Sequence, residues 1–175
     1  MLSQEQNERL TRVGPGTPCG DLMRRYWQAV CPVGELTGSS PRKKRVRILG
    51  ENLVVYRKDD GTFSAVAENC PHRAASLYFG FIEPDGIRCC YHGWKYDGET
   101  GACVDRPFEK SAPPQGLRLT TYPIQELSGL LFIYMGPNPE SAPLLPRWDV
   151  LARTDQVVGT IYEALHRPEM DGRFD

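Results

Sequence analysis

Two short segments of the chain bring cysteine and histidine together. One residue separates Cys70 from His72, two residues separate Cys89 from His92, and 16 residues separate the two segments. Thiolate sulfur and imidazole nitrogen both bind transition metals, and each segment supplies one of each. The four side chains could hold zinc in a tetrahedral site. They could equally hold a [2Fe-2S] cluster, with both cysteines on one iron and both histidines on the other.

The distribution of ligand types bears on the choice of metal. A zinc finger places two cysteines in one segment and two histidines in the other, whereas each segment here mixes the two types. A third interpretation needs no metal, because buried cysteines can stand beside surface histidines by chance. The mixed pairs favour the iron–sulfur cluster over both alternatives.

The residues around the two pairs resemble the cluster-binding loops of Rieske domains in aromatic ring-hydroxylating oxygenases. The first loop reads Asn-Cys-Pro-His-Arg over 69–73, and the second reads Cys-Cys-Tyr-His-Gly-Trp-Lys-Tyr-Asp over 89–97. In that family the second loop usually has proline where this chain has Cys90, and the first usually has glycine where it has Ala74. Residues 10–18 and the Arg-Tyr-Trp segment at 25–27 look like the N-terminal arm and first helix of the phthalate-dioxygenase-like branch. The resemblance covers about residues 1–155.

The resemblance implies a set of iron ligands. These are Cys70, His72, Cys89 and His92. Cys89 is preferred to its neighbour Cys90, because only Cys89 keeps the Cys-x-x-His spacing of the second loop. Gly93 and Trp94 follow the last ligand and are expected beside the cluster, with Trp94 shielding it from water.

The Rieske proteins of quinol-oxidising respiratory complexes differ at three positions. They carry a disulfide between the loops, whose positions are Ala75 and Tyr91 in this chain, and a serine that donates a hydrogen bond to the cluster, where this chain has Trp94. Fewer hydrogen bonds to the sulfurs lower the reduction potential. The expected electron donor is therefore a flavin-dependent reductase or a ferredoxin, and not quinol.

In the oxygenases of this family, the cluster delivers electrons to a separate mononuclear Fe(II) that two histidines and a carboxylate hold. With His72 and His92 used, only His166 remains, so this sequence cannot complete that triad. We therefore expect the electron-transfer part of an oxygenase, without its catalytic domain. A self-sufficient Rieske-type ferredoxin is the alternative, and a zinc-binding structural module is a remote one. The family commonly forms homotrimers, which are doubtful for a chain without the catalytic iron.

The elements that position the two loops are short. An arm over 3–13 and a helix over 19–28 precede a series of strands. The predicted strands cover 46–49, 53–56, 63–67, 87–90, 94–96 and 130–135, with Gly/Asp turns at 59–61 and 97–101. The expected fold is mainly β: a Rieske-type small antiparallel barrel or sandwich with two cluster-binding loops, preceded by an N-terminal helical arm. The expected division is an arm and helix over 1–30, a cluster domain over 31–136, and a Pro-rich exit segment with a short tail over 137–175.

Composition excludes several classes of function. The 175 residues carry a net charge of -1, which argues against a nucleic-acid-binding protein. No apolar run approaches the roughly 18 residues that span a membrane, and no secretory signal opens the chain, so a cytoplasmic location is expected. In a reducing compartment the six cysteines are ligands or buried thiols and not a disulfide framework.

Some suggestive residues have simple structural interpretations. Cys19, Cys31 and Cys103 are expected to be small core residues. The basic run over 42–45, with Arg47, is interpreted as a solvated loop and strand edge, the alternative being a surface for an acidic redox partner.

Overall fold

The structure is a computed structural model that describes residues 1–37, 42–114 and 116–149. Three α-helices lie within these residues: α1 (Gln4–Thr11), α2 (Pro18–Met23) and α3 (Gly34–Thr37). The strands are β1 (Trp27–Pro32), β2 (Lys43–Ile48), β3 (Glu51–Arg57), β4 (Phe63–Ala67), β5 (Phe81–Glu83), β6 (Gly86–Arg88), β7 (Lys95–Asp97), β8 (Cys103–Asp105), β9 (Thr121–Tyr122), β10 (Ile124–Leu127) and β11 (Leu130–Tyr134). Two 3-10 turns, Leu77–Phe79 and Pro139–Ser141, complete the elements.

The strands form three antiparallel sheets, which confirms the mainly β prediction. Their orders are β1-β11-β10, β2-β3-β4-β9 and β5-β6-β7-β8. Among the described residues, none of the helices has the length and apolar character needed to cross a membrane. The predicted location of the chain in the cytoplasm remains an expectation.

Strand β3 contributes side chains to two cores, one on each face of its sheet. Its side chains alternate between the two faces of the sheet. Leu53 and Val55 pack into a core with β1 and β11, while Val54 and Tyr56 pack into a second core beneath the cysteine-containing loops. All four residues are fully buried. The β2-β3-β4-β9 sheet is thus covered on both faces and supports the loops from below.

The predicted helix over 19–28 is wrong beyond Met23, where α2 ends. Trp27 begins β1 and pairs with Tyr134 of β11, and its indole is buried. Leu22, which fitted the helical spacing, is 55% exposed. The apolar residues of this segment follow a helical period by coincidence, and pairing with a strand more than a hundred residues away decides the structure.

The exit segment packs back onto the first sheet. The indole nitrogen of Trp27 donates a hydrogen bond of 2.7 Å to the carbonyl of Pro143, and Trp148 lies 6.0 Å from Phe132 of β11 between ring centroids. Strand β1 spans the predicted boundary at residue 30, and the division of the chain into an arm, a cluster domain and an exit segment stays a prediction. His166 and the predicted tail over 156–175 lie outside the described residues.

The basic run lies at a sheet edge, as predicted, but from Lys43 onward it forms part of the edge strand β2, and the expected strand began only at residue 46. Its cations are paired within the fold. Arg42, Lys44 and Arg45 form ion pairs with Asp59, Glu35 and Glu68, respectively.

Candidate functional site

The two Cys/His loops share one backbone hydrogen-bonding pattern. In the first, the amide of Cys70 donates to the carbonyl of Ala75 at 2.9 Å, and the amide of Ala74 donates back to Cys70 at 2.8 Å. In the second, the amide of Cys89 donates to the carbonyl of Trp94 at 2.8 Å, and Gly93 donates back to Cys89 at 3.1 Å. Each cysteine therefore opens a closed loop of six residues.

The fifth residue of each loop has left-handed backbone geometry. Ala74 has φ +54° and Gly93 has φ +73°. Glycine adopts this region without steric cost, whereas a Cβ atom makes it unfavourable. A Cβ at position 93 would also stand 3.2 Å from a ring carbon of Pro107. The second loop therefore needs glycine here, and the first tolerates alanine with strain.

The two predicted cysteine ligands are buried and adjacent. Cys70 is 3% exposed and Cys89 is 2% exposed, and both side chains belong to the same core cluster. Burial raises the pKa of Cys70, while the Tyr96 hydroxyl and the backbone of His72 act in the opposite direction. The hydroxyl oxygen of Tyr96 lies 3.2 Å from the Sγ of Cys70.

The two predicted histidine ligands lie together near the loop tips. Their imidazole centroids are 4.8 Å apart, and both residues are half-buried. The pKa of His72 is lowered, first by its partial burial and then by the charges of His92 and Arg73. The sulfur donors thus lie inside the loops, and the nitrogen donors lie toward solvent.

Trp94 covers one side of this arrangement by stacking on His72. It is 5% exposed, and its ring is parallel to the imidazole of His72, with an interplanar angle of 3° and a centroid separation of 4.1 Å. Tyr91 covers the other histidine, with its ring centroid 3.8 Å from that of His92. The aromatic rings limit the access of water to the imidazoles.

An ion-pair network holds the strands that carry the second loop. Glu83 of β5 accepts from Arg88 at 2.5 Å and from Lys95 at 2.9 Å, and these hydrogen bonds lower the pKa of Glu83 to about 2. Arg88 also donates to the carbonyl of Gly93 at 2.6 Å. The network therefore ties the loop backbone to the hairpin beneath it.

The remaining cysteines differ in exposure. Cys90 is exposed beside the buried Cys89, and Cys31 is buried in β1 as predicted. Cys19 and Cys103 are half-buried, so they are less enclosed than expected. Cys103 packs against the core beneath the loops.

Two residues at the site, Tyr96 and Arg106, are not among those that the sequence predicts. Tyr96 of β7 stands two positions after Trp94, the residue just before that strand, so the alternation of an extended chain places both side chains on the same face. That signal could have indicated its contact with Cys70. The guanidinium of Arg106, 5.3 Å from the centroid of Trp94, depends on the pairing of β7 with β8, which the local pattern does not show.

The donor set fits a two-iron cluster. Two adjacent buried sulfurs can serve one iron, and two neighbouring imidazoles can serve a second, more exposed iron. Each iron then needs only two protein ligands. The described residues contain no group of three or more His, Cys, Asp or Glu side chains that could hold a single ion.

Comparisons with known proteins agree with this chemistry. The family described as the Rieske [2Fe-2S] domain matches residues 26–123. The 5,5'-dehydrodivanillate O-demethylase oxygenase subunit of a Sphingobium species is 47% identical over 154 residues, which cover 85% of this chain and 35% of that protein. The phthalate 4,5-dioxygenase oxygenase subunit of Pseudomonas putida is 40% identical over 153 residues, covering 85% of this chain and 34% of that protein.

Solved structures give the same result. Apo dicamba monooxygenase superposes with a TM-score of 0.65 at 31% identity, covering 75% of this chain and 40% of that one. The oxygenase in its reduced complex with ferredoxin in carbazole 1,9a-dioxygenase gives a TM-score of 0.57 at 34% identity, covering 65% of this chain and 29% of that one. The chain spans about a third of the length of the two curated relatives described above. It belongs to the Rieske [2Fe-2S] domain family, within the branch that contains the phthalate-dioxygenase-like oxygenase subunits.

Proposed function

We propose that this chain accepts single electrons from a flavin-dependent reductase or a ferredoxin and passes them toward a non-haem iron oxygenase site. The observation that carries the proposal is the pairing of two buried cysteines with two half-exposed histidines on matching loops. In this proposal, the buried Cys70 and Cys89 bind the iron closer to the protein core, and the half-exposed His72 and His92 bind the iron closer to solvent. When bound, a [2Fe-2S] cluster supplies one-electron chemistry.

The surrounding residues prepare the site for that role. The Tyr96 hydroxyl lies 3.2 Å from the Cys70 sulfur, and when Cys70 is a thiolate ligand only the hydroxyl can donate, which stabilises the negative charge on the sulfur. Trp94 excludes water from one side of His72. The imidazoles lie near the loop tips, where a partner protein can approach closely.

The choice of donor is supported by a relative. The carbazole 1,9a-dioxygenase oxygenase has been solved in complex with a ferredoxin. We propose a donor of the same class, or a flavin-dependent reductase, for this chain.

The test uses the full chain, reconstituted anaerobically with iron and sulfide. On mixing with a reduced ferredoxin or flavin reductase, the visible absorbance of the cluster should bleach by one electron per chain. The Cys89→Ser variant is the matched control and should show no cluster to bleach. A chain that binds zinc without sulfide under iron-replete conditions would contradict the proposal.

A further inference from the structure

A buried arginine lies against the indole that covers His72. The side chain of Arg106 is 5% exposed, and its guanidinium carbon lies 5.3 Å from the ring centroid of Trp94. The imidazole of His72 stacks on the same indole at 4.1 Å. The three side chains form a continuous series of contacts from a fixed cation to a proposed iron ligand.

Strand pairing puts the arginine there. Lys95 of β7 pairs with Asp105 of β8. In an antiparallel pair, the residue before Lys95 faces the residue after Asp105, so Arg106 lies beside Trp94. The next residue, Pro107, approaches the α-carbon side of Gly93. The segment after β8 therefore packs against the second loop through the side chains of Arg106 and Pro107.

Glu109 completes the arrangement. Its carboxylate forms an ion pair with Arg106 at 2.5 Å, and its own side chain is 38% exposed. Stability alone does not require such a pair, because a hydrophobic side chain of similar volume is often at least as stabilising in a buried position. A planar guanidinium against an indole does, however, fix the position of the ring.

We propose that Arg106 is a positioning residue for electron transfer, which holds Trp94 against His72 and, together with Glu109, sets the reduction potential of the cluster. The inference rests on the proposed function, since it requires His72 to be an iron ligand. Reduction adds one negative charge to the cluster. A nearby fixed cation favours the reduced state, and a nearby carboxylate favours the oxidised state.

The experiment is a redox titration of the reconstituted full chain and three variants. Arg106→Gln should lower the equilibrium constant for one-electron reduction about threefold, or about 28 mV. Glu109→Gln should raise it by a similar factor. Arg9→Gln changes the same charge on the exposed surface of α1 and should have no effect. Shifts of the same sign in the first two variants, or none beyond the Arg9→Gln control, would overturn the proposal.

A fourth variant separates position from charge. Arg106→Lys keeps the charge and loses the planar guanidinium, so the EPR line shape of the reduced cluster should change while the equilibrium constant for one-electron reduction stays within twofold of wild type. An unchanged line shape would overturn the positioning role. If Arg106→Gln does not take up a cluster, Glu109→Gln alone tests the predicted direction, because Glu109 is partly exposed and its replacement is less disruptive. A reduction potential of Glu109→Gln that falls or does not change would then overturn the proposal. A wild-type chain without two irons and two sulfides refutes the proposed function instead.

Discussion

The hydroxyl of Tyr96 lies 3.2 Å from the Sγ of Cys70, and both residues are buried beneath the cluster loops. Burial, followed by the hydrogen bond with Cys70, raises the pKa of Tyr96 well above its usual range. The phenol therefore keeps its proton, and it is the donor when Cys70 is a thiolate. The respiratory proteins have a serine that donates a hydrogen bond to the cluster where this chain has Trp94. In this chain the hydroxyl of Tyr96 can donate a hydrogen bond to the ligand Cys70 instead.

Removing this hydroxyl is expected to lower the reduction potential. A hydrogen bond donated to a ligand thiolate stabilises the reduced, more negative state. Tyr96→Phe should lower the potential by about 40–90 mV, which corresponds to about 1–2 kcal/mol for one electron. A redox titration measures the shift.

Tyr56 supplies the matched control. It is also fully buried, and it has no hydrogen bond to a cysteine among the described contacts of the chain. Tyr56→Phe should leave the potential within 10 mV of the wild type, about a quarter of the smallest expected shift. Equal shifts in the two variants would show that the contact of Tyr96 with Cys70 has no specific effect.

The ligand choice between neighbouring cysteines gives a second prediction. Cys89 is buried and Cys90 is exposed, so Cys89→Ser should abolish the cluster absorbance. Cys90→Pro should retain it, because no backbone hydrogen bond from the Cys90 amide holds the described loop together. Iron and sulfide analysis decides the matter, and the reverse pair of results would assign the ligand to Cys90.

Substitutions at the two left-handed loop positions, Ala74→Gly and Gly93→Ala, should change the stability of the protein in opposite directions. Ala74→Gly should stabilise the protein by about 0.5 kcal/mol, since relief of the left-handed cost exceeds the added entropy of the unfolded chain. Gly93→Ala should destabilise it by at least about 1–2 kcal/mol, because it combines that cost with a close contact to Pro107. Urea unfolding measures both, and destabilisation by Ala74→Gly would contradict the account.

The Glu83 network predicts a loss of stability in acid. The folded pKa of Glu83 is lowered to about 2 from 4.5, first by hydrogen bonds from Arg88 and Lys95. Its contribution is therefore fully present above the unfolded pKa and is lost as the pH falls from about 4.5 toward 2. Urea midpoints followed by far-UV circular dichroism at pH 6 and pH 3.5 should fall more in the wild type than in Glu83→Gln. A larger fall in the variant would reverse the sign of the prediction.

Local patterns predicted much of this fold. The strand over 63–67 has the predicted bounds, and the apolar run from 130 forms β11 (Leu130–Tyr134). These segments carry β-rich sequences bounded by turn residues, so neighbouring residues alone identify them. Both cluster loops were also found from spacing and flanking residues.

Contacts that depend on long-range register were not predicted. Trp27 belongs to a strand because β11 lies beside it, and the local helical spacing gave no sign of that partner. Arg106 reaches Trp94 because β8 pairs with β7. In both cases the deciding interaction joins residues whose relative position follows from the assembled sheets and not from the neighbouring sequence.

Pulsed EPR of the reduced, reconstituted chain tests the central claim most directly. With 15N-labelled histidine, the account predicts hyperfine couplings from two imidazole nitrogens, together with two irons and two sulfides per chain. His72→Cys and His92→Cys should each remove one of the two couplings. A cluster without imidazole coupling, or a metal site without sulfide, would contradict the assignment of His72 and His92 as iron ligands.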